Sequence, residues 1–254
     1  MSTAEIKEYV DLEALWGPEP RPDHTMLPDS DGVPAENLQE KPQVATLTDS
    51  ILPVLDRIHP DGRFAVAGNS GTYWRRTDPP VRGAIAPDWF YVPGVPRLLG
   101  GKLRRSYVMW KEGMAPLIAL EFASTGGDIE RDRTPLEGKF WIYERVVRPR
   151  YYGIFDFDAE TLEVYTLVDD RFELMEPNAR GRYPIAELGV ELGLWKGVVE
   201  RYDVVWLRWF DEAGSLLVNG REAEAAQAAR ADAQAARAER LREQLRNLGV
   251  DPDA

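Results

Sequence analysis

At 254 residues, 44% hydrophobic and 10% aromatic, the chain is long enough to bury one large core and carry an appendage. It has no cysteine and two histidines, which excludes disulfides, thiolate metal sites and cysteine nucleophiles and argues against a zinc centre. A net charge of −12 is the wrong sign for a protein that coats nucleic acid, though an enzyme acting on it needs only a local basic track.

The start, MSTAEIKEYVDLEALWG, lacks the basic residues and apolar run of a signal peptide. No stretch nears the ~20 apolar residues of a membrane span, so a soluble, cytoplasmic protein is expected. Residues 1–35 are acidic and rich in proline and read as an irregular arm, with a short helix near Ile6–Leu15. Residues 36–58 are helical in period, with Val44, Leu47, Ile51, Leu55 and Ile58 on one face. Pro42 and Pro53 predict a kink or a late start there.

Phe64–Gly68 and Thr72–Arg76 flank a Gly-Asn-Ser-Gly turn and read as a hairpin. Further strand-like runs are Asp88–Gly94, Ser106–Glu112 and Ala115–Ser124, the last being the most apolar. A helix is expected over Thr134–Val147, then strands over 151–158 and 161–175. Strands on both sides of one crossing helix predict an α/β fold with a mixed sheet. Residues 177–219 read as short strands with an aromatic cover. From about Arg221 to Gly249 the composition shifts to Ala, Arg, Glu and Gln, which predicts a solvated helix or a coiled-coil dimer segment. The expected divisions are thus an arm (1–35), a core domain (36–219) and a charged helix with its tail (220–254).

Three residues together suggest chemistry. Asp88 follows Pro87 at a strand start; alone, it is an ordinary strand-entry turn. Glu121 shares a strand face with Leu117, Ala119 and Ala123, where a carboxylate must find a cation or donors, a buried arginine among them. Lys139 lies in step with Ile142, Tyr143 and Val146 on a helix and reads either as solvated or as a partner for Glu121. Two carboxylates and a lysine are the minimum set for phosphodiester hydrolysis: the acids hold Mg²⁺, or Mn²⁺, and the lysine orients or helps deprotonate the water and steadies developing charge. Lys102, Arg104, Arg105 and Lys111 form a basic cluster, either a solvated face or a phosphate track. Residues 125–138 read as a plain connector or a loop beside the site.

The ordered set resembles the Uma2 (DUF820) family. It comprises Pro87-Asp88, then Glu121-Phe122-Ala123-Ser124, then Lys139 to Tyr143, then Tyr151 to Asp156. The segment Asp31-Gly32-Val33-Pro34-Ala35-Glu36-Asn37 is similar to the entry of one branch of it. The resemblance implies a PD-(D/E)xK, restriction-endonuclease-like core, with a mixed central sheet flanked by helices, and Mg²⁺-dependent cleavage of DNA. It implies Asp88 and Glu121 as metal-binding acids and Lys139 as the catalytic lysine, on the helix instead of two residues after the glutamate, where Ala123 stands. Tyr143 matches a supporting position. Glu36, on the first helix, and Asp132 are candidate additional acids, each with a bland reading as a surface residue. A non-catalytic binding or scaffold protein of the same fold, using the aromatic-rich 195–210 region and the tail, is the alternative, and the C-terminal helix is a candidate element for joining a homodimer. A carboxylate-only hydrolase of a sugar or other neutral substrate, using Glu121 with Asp88 or Glu36, is a third reading that leaves Lys139 unexplained.

Overall fold

The computed structural model describes residues 10–28, 37–123 and 126–247. The chain divides into a unit of Met1–Leu216 and a second of Leu217–Ala254. In chain order the first unit contains α1 (Leu12–Trp16), α2 (Glu40–Ile58), β1 (Phe64–Ala67), β2 (Thr72–Tyr73), β3 (Ala84–Ile85), β4 (Trp89–Pro93), β5 (Tyr107–Val108) and α3 (Met109–Glu112). It continues with β6 (Ile118–Ala123), α4 (Lys139–Ile142) running into a π-helical turn (Tyr143–Val147), β7 (Tyr151–Asp156), β8 (Thr161–Val168) and β9 (Arg171–Leu174). The strands β10 (Tyr183–Ile185), β11 (Val190–Val199) and β12 (Tyr202–Asp211) complete it.

The central sheet has six strands in the order β1-β4-β6-β7-β8-β9. Only β6 and β7 run parallel within it, and α4 with its π turn makes the crossover between them. This is the expected mixed α/β sheet. Every residue of β6 and β7 is buried, as two central strands covered on both faces must be. One face carries an aromatic cluster in which Tyr143 stacks on Tyr152 at 4.5 Å and Phe140 meets Phe172 edge-on at 5.5 Å. Separate three-stranded sheets are β10-β11-β12 and β3-β2-β5.

Helix α2 begins at Glu40, so Pro42 falls in the first turn, where a missing N–H costs nothing. Pro53 sits in its interior, and the helix runs on to Ile58. Leu47, Ile51 and Leu55 are fully buried as the period requires, whereas Ile58 is exposed. The buried face is partly polar. Gln43 exchanges two hydrogen bonds with the backbone of Leu207 in β12, at 2.8 and 3.0 Å, and Trp209 Nε1 donates to the Leu47 carbonyl at 3.1 Å.

Several local expectations change. Residues 64–76 do not form a hairpin: β1 pairs with β4, and β2 with β3 and β5. The intervening turn directs the chain away, with Asn69 in the left-handed region and its N–H on the Pro87 carbonyl. Gly68 packs so tightly that a Cβ there would lie 2.6 Å from both the Asp88 carbonyl oxygen and Val44 Cγ1. The run at 106–112 is half strand and half helix, and the helix expected from Thr134 starts at Lys139. The strands in 177–219 are not short, because β11 and β12 form a ten-residue antiparallel ladder. In the second unit, α5 (Gly220–Asn247) is exposed along nearly all of its length, opened by reciprocal hydrogen bonds between Asn219 and Glu222, both at 2.9 Å.

Candidate active site

The site begins with strand register. β4 and β6 are antiparallel with Trp89 opposite Leu120, so the next step sets Asp88 opposite Glu121. The Phe122 N–H donates to Asp88 Oδ2 at 2.6 Å and fixes the shorter acid. Alternation turns Glu121 to the same face as Ala119 and Ala123, towards the crossover helix. Lys139 opens that helix and Tyr143 follows four residues later on the same side. Their side chains converge on one carboxylate: Tyr143 OH donates to Glu121 Oε1 at 2.5 Å, and Lys139 Nζ to Oε2 at 3.0 Å. Glu121 is 0% exposed.

Two further acids belong to this neighbourhood. Glu130, 5% exposed, accepts from Lys139 Nζ at 3.3 Å. Glu40, 3% exposed at the start of α2, accepts from Asn69 Nδ2 at 2.7 Å, and its charge is felt at Asp88. The sequence reading passed over Glu40, although one turn back from Val44, Leu47 and Ile51 the helical stripe reaches position 40. Glu130 lies in a turn with no periodicity to reveal it. Glu36, the acid expected on the first helix, lies outside the described residues. Asp132 is not part of the cluster; it is exposed, and its Oδ1 accepts from the Thr134 N–H and hydroxyl as a turn cap. Of the basic cluster, Arg104 is locked to Glu112 at 2.7 Å and to the Pro96 carbonyl and Lys111 faces Glu19 at 3.9 Å, whereas Lys102 and Arg105 are exposed.

Burial, helped by the charges of Glu121 and Glu40, pushes the Asp88 carboxyl up to about 9, against the pull of the Phe122 N–H and Lys139. Burial likewise pushes Glu121 up, opposed by Lys139 and Tyr143. For Lys139, burial disfavours the charge, but Glu121, Glu130 and Asp88 outweigh it and hold the ammonium protonated well above its ordinary range. The result is an acid-rich centre with one captive cation. Tyr143→Phe is expected to cost about 1–3 kcal/mol in chemical denaturation, because Glu121 Oε1 then loses its buried donor.

Among the described residues no three His, Cys, Asp or Glu side chains are gathered to hold one ion, and no helix is long and apolar enough to cross a membrane. A cleft of about 460 Å³ runs along β1, between Leu52, Phe64 and Tyr107, and is bordered by none of Asp88, Glu121 and Lys139.

The Uma2 family model, described as "Putative restriction endonuclease", matches residues 9–201. The chain belongs to the Uma2 family. The matched span holds all the residues gathered above and stops short of α5. Among solved structures, a nuclease described as putative and belonging to DUF820, from Anabaena variabilis ATCC 29413, is similar at 15% identity. That match covers 61% of this chain and 76% of the other, with a TM-score of 0.39. No curated protein matches.

Proposed function

We propose that this Uma2 protein is a Mg²⁺-dependent endonuclease that hydrolyses DNA phosphodiester bonds, with Asp88 and Glu121 holding the metal and Lys139 as the catalytic lysine. The observation that carries the reading is the contact of Lys139 Nζ with the buried Glu121, at 3.0 Å, beside Asp88 on the neighbouring strand. A fully buried Glu121 beside a half-buried Asp88 and one lysine is costly as pure structure and is the kit that phosphoryl transfer needs. The donor set fits magnesium, which takes one or two carboxylates and completes its shell with water and substrate phosphate. No third protein acid is required. Mn²⁺ suits the same oxygens.

When bound, the ion polarises the phosphoryl oxygen and acidifies a coordinated water. The chain's own residues do the rest. Tyr143 fixes Glu121 through Oε1, so the other oxygen keeps one direction. Among the described residues no donor reaches Asp88 Oδ1. Lys139, protonated, stabilises charge developing on the phosphate and orients the attacking water. In the metal-free site Glu121, Glu130 and Asp88 favour its protonated form.

Because metal-free Asp88 holds its proton to about pH 9, loading the site must expel it. Calorimetry in buffers of different ionisation heat is expected to show release of about one proton per Mg²⁺ at pH 7, with affinity rising toward pH 9. The direct test is plasmid nicking with Mg²⁺ or Mn²⁺ by the parent and by Asp88→Ala, Glu121→Ala and Lys139→Ala. Loss in all three supports the proposal; cleavage that survives in all three defeats it. A parent inactive on every DNA form favours the scaffold reading.

A further inference from the structure

Lys139 holds two carboxylates at once, and only Glu121 has been given a task. Glu130 Oε1 lies 3.3 Å from the same ammonium, in a turn that belongs to no strand or helix, yet it is almost wholly buried. Its placement is fixed from several sides. The Glu130 carbonyl accepts from Tyr152 OH at 3.0 Å, and Tyr152 stacks on Tyr143, the residue that grips Glu121. The next residue, Arg131, is clamped to Glu163 at 2.9 and 3.2 Å and to the Gly126 carbonyl at 2.6 Å. Among the described residues, Lys139 is the one partner of the Glu130 carboxylate.

We propose that Glu130 is a positioning residue that keeps Lys139 at the site when Glu121 changes from ion-pair partner to metal ligand. The inference rests on the metal-binding reading given above. An ammonium has three donors and no acceptor, so it can release Glu121 Oε2 and still hold Glu130. Without Glu130 its one remaining carboxylate among these contacts is Glu121, and lysine and metal then compete for the same oxygen. With Glu130 the exchange costs the lysine one of two charge-assisted hydrogen bonds instead of its last.

The test is a double-mutant cycle read as the Mg²⁺ dissociation constant of the full chain, with Glu130→Gln and Lys139→Met made singly and together. Glu130→Gln is expected to weaken Mg²⁺ binding about tenfold when Lys139 is present, the worth of one charge-assisted hydrogen bond. In the Lys139→Met background the same change is expected to have less than about a twofold effect. Equal losses in both backgrounds, or none in either, overturn the proposal, since a remote negative charge or a purely structural residue would act alike in both. Glu130→Asp gives a second check that keeps the charge. Drawn back by one methylene, it is expected to weaken binding as Glu130→Gln does, and parental affinity would overturn the proposal. The two readings fail separately. If Mg²⁺ binding by the parent is absent or indifferent to Asp88→Asn and Glu121→Gln, the metal site itself falls and this inference with it. If binding depends on both acids but the cycle is additive, only the role of Glu130 falls.

Discussion

Asp88→Asn is expected to reduce Mg²⁺-supported nicking by about 10³-fold, a loss of several kcal/mol of transition-state stabilisation, and yet to make the metal-free protein more stable. Both effects come from burial. With the Asp88 carboxyl pushed up to about 9 from an ordinary 3.8, the folded state holds a proton that the unfolded chain gives up. Stability is therefore lost as pH rises through that window and is fully kept only below about pH 4. Asparagine has no such linkage and can still accept from the Phe122 N–H. At pH 8 the gain should be about 2 kcal/mol or more, shrinking toward pH 4, as urea melts across that range would record. A variant less stable at pH 8 than the parent would contradict the burial of Asp88 as described.

Lys139→Met should have the opposite stability sign. It keeps the aliphatic stem and removes the only cation in contact with Glu121 and Glu130 among the described residues. Stranding a buried carboxylate costs about 3 kcal/mol when one partner of such a pair is deleted. The penalty should be greatest at pH 8 and fall toward pH 5, where the carboxyls, freed from the lysine's pull, take up protons instead. Nicking should drop about 10²-fold or more, the usual worth of one electrostatic group aimed at developing charge. Lys139→Arg is not expected to restore it, because the planar fork replaces a compact ammonium held between two carboxylates.

These contrasting effects bear on what could be read from the chain. Helix α2 and strand β6 were legible because each carries a strong period that tertiary context reinforced. The Lys139–Tyr143 pair was legible as a stripe, and the short distance to Glu121 follows from a crossover that must return over its own strand. The turn at Gly68–Gly71 misled because turn chemistry says where the chain bends and not what the flanking strands pair with; β1 pairs with β4 instead. The length of β11 and β12 was hidden by glycines at 193 and 197, which look like breaks but lie within a continuous ladder. Asp132 and Glu130 show the limit most plainly. Both are acids in one irregular segment, and only the packing of Tyr152 and Arg131 decides which turns inward.

The close approach at Gly68 gives the site a dependence that no titratable group reveals. A single hydrogen atom stands where any other residue would drive a wedge between the first long helix and the carbonyl of Asp88. Position 68 therefore acts as a spacer gauge, setting how far the proposed metal acid stands from the helix that brings Glu40. Tolerance to substitution around this centre is bounded by steric clearance as much as by charge, and a methyl group could detune it while leaving every polar residue in place.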